Sequence, residues 1–442
     1  MKMDDMVIIS IDDHISEPPG MFDKHLSAAD LATAPKFQTA ADGTDYWEYE
    51  GMKMPSVALN AVAGRVPEEY GIEPTSLSQI RKGCYDVHAR INDMNANGIA
   101  ASCNFGSMSS MDGSIFHKAP DRARAVRHLQ AYNDWHVDEW CGAYPGRFIP
   151  LAILPTWDMA ATVVEIKRLA AKGCAAVSLN ENPTKQGLPS IHDAYWEPMW
   201  KALTEYDMTM CLHIGSGNPA PMSSLDTPIE AWIITMPMSI STSAADWLHL
   251  DALHRYPLRI ALSEGGIGWI PYFLERADFT HQQHKAWTHS KFKGRKPSDV
   301  FREHFMTCFV DDAFGLKNLQ EIGENTVAYE CDYPHSDSLW PQSSQVLWEA
   351  VKHLSTEQID KVTFRNAARF MRFDPFKYQD RSALSVGALM AKAKADKVDI
   401  SPISSGGAKP LAPGEAARVV TTGDIAKMFA QQAQSAQASA AA

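Results

Sequence analysis

Short apolar runs alternate with amphipathic segments along most of the chain. Each run is bounded by turn residues, and most are followed by apolar positions at helical spacing, which predicts strands alternating with helices. Strands that are apolar throughout are typical of a parallel sheet covered on both faces. We count eight of them, at residues 8–14, 99–105, 148–154, 175–179, 208–213, 258–264, 305–310 and 326–332.

Eight such units predict an α/β fold of the (β/α)8 barrel type, whose functional residues lie at the carboxyl ends of the strands. The alternative is a doubly wound open sheet. That sheet would not bring the ends of strands one, five, six and eight to one mouth. We therefore expect a barrel over residues 1–380.

Two segments interrupt or follow this pattern. Residues 21–85 form a long insertion after the first strand, with a hairpin over 46–54, and we expect a cap over a site or a subunit contact. Residues 381–442 are predicted to be a linker and a C-terminal arm. The arm has a Ser/Pro/Gly stretch at 401–407, an Ala/Gln/Ser tail at 430–442, and between them one helical turn formed by Ile425, Met428 and Phe429.

Composition limits the possible partners. The chain of 442 residues has 45% hydrophobic and 21% charged residues and a formal net charge of −12, which argues against nucleic acid or an anionic membrane as the main partner. We expect a small-molecule substrate. The seven Cys residues form no CxxC pair, and no signal sequence or membrane-spanning run is visible, so we expect a reducing, cytoplasmic location.

Acidic and imidazole side chains recur where the predicted strands end. Asp12 and His14 are two residues apart on the first strand and therefore project to the same side. Carboxylates and imidazoles that converge without Lys or Arg repel one another unless a cation is bound, so the pattern predicts a divalent metal site. The later strand ends contribute Glu181, His213, Glu264, Asp332 and His335.

The same residues carry a resemblance to a known family. Over roughly residues 6–375 the sequence resembles the amidohydrolase superfamily, in the branch that includes aminocarboxymuconate-semialdehyde decarboxylase and related aryl-acid decarboxylases. The resemblance implies a metal-binding (β/α)8 barrel in which His14, His213 and Asp332 are metal ligands and Asp332 also handles protons. The motifs that carry it are Asp12-Asp13-His14 with Glu17-Pro18, His213-Ile214-Gly215-Ser216, Ser263-Glu264-Gly265-Gly266 and Cys331-Asp332-Tyr333-Pro334-His335.

The chain departs from that pattern at two positions. Asp12 and Glu264 stand where the decarboxylases commonly carry His, and carboxylate-rich sites favour Mn or Fe over Zn and can bridge two ions. His281 and His284 lie on one face of the helix after the sixth strand, which makes His284 a candidate further ligand. The pattern also resembles a sub-branch of dinuclear non-haem iron oxygenases, some of which act as pairs of paralogous chains.

Three interpretations follow. In the first, the chain is a lyase or hydrolase that decarboxylates or cleaves a small, aromatic or conjugated acid with one Zn or Mn ion, with Asp332, His335 and His213 as catalytic residues. In the second, it is an oxygenase with two ions, at least one of them Fe, that activate dioxygen. In the third, it is a degenerate paralogue that supports an active partner.

The oxygenase interpretation assigns the largest ligand set, which is Asp12, His14, His213, Glu264, His284 and Asp332. We expect Trp269, Tyr333 and Trp340 to supply flat apolar walls for the substrate. From the resemblance we also expect a homo-oligomer, or a hetero-oligomer with a paralogous chain.

Overall fold

The computed structural model describes residues 1–438 apart from 56, 59, 72–73, 219, 405–413 and 415. Its strands are β1 (Ile9–Ile15), β2 (Lys36–Thr39), β3 (Asp45–Tyr49), β4 (Met52–Met54), β5 (Ala101–Gly106), β6 (Phe148–Ile149), β7 (Leu151–Ile153), β8 (Ala176–Leu179), β9 (Thr209–His213), β10 (Arg259–Ser263), β11 (Phe305–Phe309) and β12 (Val327–Tyr329).

The helices surround the strands on the outside. They are α1 (Ala28–Leu31), α2 (Val87–Ala96), α3 (Ser114–His117), α4 (Arg122–Asp134), α5 (Met159–Ala171), α6 (Glu197–Glu205), α7 (Ile229–Thr235), α8 (Ile240–Leu248), α9 (Ile270–Thr288), α10 (Pro297–His304), α11 (Ala313–Lys317), α12 (Leu319–Ile322), α13 (Ser343–Val351), α14 (Thr356–Asp360), α15 (Asn366–Phe370), α16 (Val386–Ala395) and α17 (Thr422–Ala438).

All strands except β2–β4 belong to one parallel sheet in the order β6-β5-β1-β12-β11-β10-β9-β8-β7. The two ends of this order, β6 and β7, are consecutive pieces of one run, separated only by Pro150, which has no N–H to donate to the ladder. One piece pairs with β5 and the other with β8. The sheet therefore closes on itself as an eight-stranded barrel, which confirms the predicted fold.

The barrel strands are buried on both faces, as their continuous apolar runs predict. Inward-facing positions form one cluster with many small side chains, among them Ala176, Cys211 and Ala328. Outward-facing positions such as Met210 and Leu262 pack against the helices in a second, larger cluster. All seven Cys residues are buried and free.

The insertion at 21–85 contains the predicted hairpin as strands β3 and β4, joined by a two-residue turn at Glu50 and Gly51. Both turn residues have positive φ, of 48° and 75°, which is the backbone twist that suits such a hairpin. β2 adds a third antiparallel strand to this small sheet. Because the insertion follows β1, it begins at the carboxyl end of the barrel strands.

The C-terminal segment is bound to its own chain. α16 packs on α2, and the Val386 N–H donates to the Met6 carbonyl. Further on, the Ile403 N–H donates to the Gly64 carbonyl of the insertion, and the Thr422 N–H donates to the Thr227 carbonyl. The helical turn predicted around Ile425 and Met428 lies within α17, whereas the side chain of Phe429 and the predicted linker from 405 lie outside the described residues. No helix within the described part of the chain is long and apolar enough to cross a membrane.

Candidate metal centre

The first strand supplies two side chains to a cluster at the mouth of the barrel. Asp12 and His14 are both buried, and the Nε2 atom of His14 lies 3.4 Å from Oδ1 of Asp12. The predicted convergence of residues i and i+2 is therefore present. Arg90 of α2 holds this strand end by donating to the His14 carbonyl.

His213, the last residue of β9, reaches the same point from the other side of the barrel. Its Nε2 atom lies 3.2 Å from Nε2 of His14 and 3.6 Å from Oδ2 of Asp12. Its Nδ1 atom is 2.7 Å from the carbonyl oxygen of Ile214. Because a carbonyl oxygen can only accept, Nδ1 carries the proton and donates this hydrogen bond. This bond fixes the ring orientation and directs Nε2 towards the cluster, as is usual for an imidazole that ligates a metal.

Glu264 and Asp332 complete the cluster from two further strand ends. Oε2 of Glu264 lies 2.9 Å from Nε2 of His213, and Oδ1 of Asp332 lies 3.3 Å from Nε2 of His14. Both residues have left-handed backbone, with φ of 59° and 52°. Such positions cost free energy in non-glycine residues and concentrate at functional sites, where the surrounding structure holds them.

His335 adds an imidazole beside Asp332. Its Nδ1 atom is 3.0 Å from Oδ1 of Asp332, and its ring stacks on that of His14 with centroids 3.8 Å apart. Although burial disfavours the imidazolium, the Asp332 carboxylate raises the pKa of His335. The Asp332–His335 pair therefore has the contacts expected of the proton-handling residues that the sequence predicts.

Ligand atoms converge in two overlapping groups that share His14. One group contains His14, Glu264, Asp332 and His335, and the other contains Asp12, His14 and His213; within each, the ligand atoms lie within 4.8 Å of one another.

A divalent ion fits the chemistry of these donors. Asp12 is fully buried, and no group in the described residues donates a hydrogen bond to either of its carboxylate oxygens. Buried carboxylates without partners are strongly unfavourable unless a cation is bound.

The electrostatics of the cluster lead to the same requirement. Burial raises the pKa of Asp12 well above its usual range, and the carboxylates of Glu330 and Glu264 raise it further. Burial also lowers the pKa of His14, which favours the neutral imidazole that ligates metals. By contrast, Asp12 and Glu264 overcome the effect of burial and raise the pKa of His213 to about 10. The cluster therefore favours a positive charge among its carboxylates.

Glu330 is a buried residue of the centre that the strand-end argument does not identify. Its Oε2 atom accepts a hydrogen bond from the backbone N–H of Glu264 at 3.0 Å, and the Cys308 thiol lies 2.6 Å from the same oxygen. Burial is the main cause that raises the pKa of Glu330 to about 8. A charged residue inside the apolar run 326–331 was the available signal in the sequence.

The structure does not bring His284 to the cluster, so the predicted metal-ligand role of this residue is not supported. α9 begins at the mouth and runs back along the barrel, and 14 residues of helix place His284 about 21 Å from its start. There Nδ1 of His284 accepts a hydrogen bond from Trp287, and His281 contacts Ser290. Glu181 is also occupied elsewhere, since it accepts hydrogen bonds from Ser243 and the Gly217 N–H.

Two of the three predicted substrate walls are engaged in structural contacts. The Tyr333 hydroxyl donates to Oδ2 of Asp93 at 2.5 Å, and the Trp340 indole donates to the Asp93 carbonyl. Trp269 is half-buried and bonded to the loop after Glu264 through the Gly265 carbonyl. Phe105 of β5 places an aromatic ring beside the cluster, and its centroid lies 5.0 Å from that of His213.

The family model for amidohydrolases matches residues 85–373, well over half of the chain. The chain therefore belongs to the amidohydrolase family, and the predicted relationship is confirmed. The matched range includes His213, Glu264 and Asp332. Asp12 and His14 precede it, so their place in the centre rests on the geometry described above.

Several solved structures have the same fold. An amidohydrolase from Mycobacterium avium subsp. paratuberculosis K-10 is 17% identical with a TM-score of 0.63, covering 83% of this chain and 99% of its own. The 5-carboxyvanillate decarboxylase of Sphingomonas paucimobilis is 19% identical with a TM-score of 0.58, and the match covers 83% of this chain and 99% of the decarboxylase. A dihydroxybenzoic acid decarboxylase from Polaromonas sp. JS666, solved with bound manganese and the inhibitor 2-nitroresorcinol, is 18% identical with a TM-score of 0.54. That match covers 83% of this chain and 97% of the decarboxylase. No curated protein matches the sequence.

Proposed function

We propose that this chain is a metal-dependent lyase that removes CO2 from a small aromatic carboxylic acid. The observation that carries the proposal is the buried cluster of His14, His213 and Asp332, with a proton-handling partner, His335, at 3.0 Å from Asp332. The solved decarboxylases with the same fold support this choice, since two of the acids in their names are substituted benzoic acids. Hydrolysis of a C–N bond is the nearest competing reaction.

His14, His213 and Asp332 would hold the ion, with Asp12 and Glu264 as additional carboxylate ligands. A divalent ion bound by these residues supplies a Lewis acid that polarises substrate oxygens. The carboxylate-rich donor set favours Mn or Fe over Zn. The protein contributes the fixed orientation of each ligand, such as the bond from Nδ1 of His213 to the Ile214 carbonyl.

The proposed reaction breaks one C–C bond and forms one C–H bond. The electron pair of the broken bond remains on the ring carbon, CO2 leaves, and the same carbon receives a proton. Nδ1 of His335 lies 3.0 Å from Oδ1 of Asp332, and these two side chains are the groups placed to donate the proton. Phe105 lines the cluster with an apolar ring and excludes water from that side.

A second candidate is the two-ion oxygenase, and one observation favours it. The donor atoms form two overlapping groups that share His14, and a single ion does not require all of Asp12, Glu264 and Asp332. In this case the additional carboxylates would hold a second ion, and at least one ion would be Fe. The two candidates differ in the number of ions per chain.

Metal analysis of protein purified without added metal or a metal-binding tag tests the proposal, followed by assays of CO2 release from a panel of hydroxybenzoic acids. One Mn or Zn per chain with CO2 release supports the lyase. Two ions including Fe, with substrate-dependent dioxygen uptake and no CO2 release, support the oxygenase instead. A metal-loaded chain that releases no CO2 contradicts the lyase, and a chain that binds no metal supports the interpretation as a paralogue of an active partner.

A further inference from the structure

The first barrel strand contains one extra residue at the point where it enters the metal centre. Its backbone is in register with β5 at Ser10 opposite Ser102, and again at Asp13 opposite Asn104. Between these two pairs β1 advances by three residues, from 10 to 13, while β5 advances by two, from 102 to 104. The extra residue makes a β-bulge, which bends a strand and changes the direction of the side chains that follow it.

The bulge reverses which side of β1 faces the barrel interior. Before it, odd-numbered residues such as Ile9 and Ile11 belong to the interior cluster. The next residue, Asp12, also faces inwards, since it belongs to the converging ligand atoms. After the bulge, His14 faces inwards opposite Phe105, an interior residue of β5. Strict alternation from Ile9 onwards would turn Asp12 and His14 towards the outer helices instead.

Asp13 faces the outer side of β1, where its carboxylate bonds to the end of β12. Its Oδ1 atom accepts hydrogen bonds from the Ser10 hydroxyl at 2.9 Å and from the Tyr333 N–H at 3.2 Å. The Ser10 oxygen in turn accepts the Cys331 N–H at 2.8 Å. Both side chains are buried, so water does not compete for these bonds. Ser10 and Asp13 therefore clamp the two ends of the bulge to one neighbouring segment.

Backbone bonds join the same two segments on either side of this clamp. The Asp332 N–H donates to the Asp12 carbonyl at 2.9 Å, and the His14 N–H donates to the Tyr333 carbonyl at 2.7 Å. In chain order, the Asp13 side chain thus acts between two backbone bonds that involve the ligands of the centre. The position of Asp12 and His14 relative to Asp332 depends on the register that these contacts fix.

We propose that Ser10 and Asp13 are positioning residues for the metal centre, because they hold the bulge that turns the β1 ligands into the barrel. The proposal rests on the metal centre of the proposed function and is independent of the reaction that the centre catalyses. Among the described residues, neither side chain belongs to the two groups of converging ligand atoms, so both act through the backbone. Replacing Asp13 by Ala leaves the Tyr333 N–H without its buried acceptor, which costs free energy and loosens the register.

Titration of the metal-free, full-length chain with Mn²⁺ against a competing chelator tests this assignment. We expect Asp13→Ala to lower the affinity for Mn²⁺ about 10- to 100-fold, which is the usual effect of losing a group that orients metal ligands. Asp13→Asn retains an acceptor oxygen and should restore most of the affinity. Ser10→Ala removes the hydroxyl that links the two ends of the bulge and should also lower the affinity. It tests the assignment separately if Asp13→Ala does not fold.

Glu165→Ala is the matched control. Glu165 is also a buried carboxylate, and it accepts hydrogen bonds from Asn133 and Gln130, but it lies on the outer helix α5. This variant should lose stability towards urea while it keeps the wild-type affinity for Mn²⁺. The comparison separates loss of register at the centre from general loss of a buried hydrogen-bonded carboxylate.

Three results would overturn the positioning role. One is wild-type affinity in both Asp13→Ala and Ser10→Ala, and another is an equal loss of affinity in Glu165→Ala. The third is an equal loss in Asp13→Asn and Asp13→Ala, because the acceptor oxygen would then have no effect. Mn²⁺ is titrated without substrate, so these results are distinct from a failure of the proposed reaction. A wild-type chain that binds no Mn²⁺ would contradict the metal centre itself, and this inference with it.

Discussion

The Nε2 atoms of His14 and His213 face each other at 3.2 Å from opposite sides of the barrel. β1 and β9 are separated by three strands on either side of an eight-stranded ring, so neither local sequence nor neighbouring backbone pairing creates this contact. Two imidazole nitrogens at this distance need a proton or a metal ion between them. Among the described residues, their approach is therefore a direct geometric sign of a cation site.

Replacing His213 tests that contact. We expect His213→Ala to lose bound metal and all activity, since it removes a donor that is already oriented by the Ile214 carbonyl. His284→Ala is the control, because His284 lies on the outer helix α9 and should leave the metal content unchanged. Mass spectrometry of both purified variants gives the metal content. Equal metal loss in the two variants would contradict the site described here.

The variant Glu264→Gln distinguishes a centre that holds one ion from a centre that holds two. Glu264 and Asp12 are the carboxylates added to the ligands His14, His213 and Asp332, and the second ion of the oxygenase candidate depends on them. If the centre holds two ions, the variant should retain one; if it holds one, the stoichiometry should change little. The variant Asp332→Asn provides the reference, because loss of the Asp332 carboxylate should empty the site in either case.

Glu330 is expected to act as a positioning residue for Glu264. Its carboxyl accepts the N–H of Glu264 at a residue with a left-handed backbone. Glu330→Ala leaves that N–H without an acceptor, and we expect metal affinity to fall about 10- to 100-fold. Glu330→Gln retains an acceptor oxygen and should restore most of the affinity. Titration with a competing chelator measures both variants, and an alanine variant with wild-type affinity would exclude the positioning role.

The barrel and most of the centre are predictable because they follow from periodicity. Asp12 and His14 share a face two residues apart, and parallel strands place their carboxyl ends at one mouth. His284 was predicted as a ligand from helical spacing, and the structure places it away from the cluster, because that spacing specifies which residues share a face but not how far along the barrel that face lies. The contacts of Tyr333 and Trp340 with Asp93 join segments about 240 residues apart, and no local pattern encodes them.

Glu17 should make stability depend on pH. Burial raises its pKa from 4.5 to about 7, although the Met108 N–H and the Tyr132 hydroxyl donate hydrogen bonds to its carboxylate. The folded chain therefore binds more protons than the unfolded chain between these values, and stability falls as pH rises through this window. A shift of this size corresponds to about 3 kcal/mol by pH 8.

Urea unfolding of Glu17→Gln between pH 5 and pH 8 measures this effect. The variant has no titrating group at this position, so its stability relative to wild type should increase by about 3 kcal/mol across the range. Glu349→Gln, at an exposed position on α13, should run parallel to wild type. If the free energy of unfolding of Glu17→Gln also ran parallel to that of wild type across this pH range, the Glu17 carboxyl would have the same pKa in the folded and unfolded chains or be charged throughout.

The C-terminal segment should control the order of two regions that flank the mouth. Ile403 is bound to Gly64 of the insertion, and Thr422 is bound to Thr227 of the loop after β9. A chain ending at residue 417 loses the second attachment only, whereas a chain ending at residue 398 loses both. We therefore expect thermolysin to cleave the chain that ends at residue 417 within residues 220–238, while the insertion at 21–85 remains protected.

The chain that ends at residue 398 should also be cleaved within the insertion, near residues 64–81. This deletion additionally removes the Asp399 carbonyl, which accepts a hydrogen bond from Arg81. Mass spectrometry of early digestion products assigns the sites. Both truncations should keep α16, which packs independently on α2, so the barrel should remain folded. Identical digestion of all three chains would mean that the two mouth regions are ordered by the barrel alone, and that the backbone bonds from the C-terminal segment contribute little to their stability.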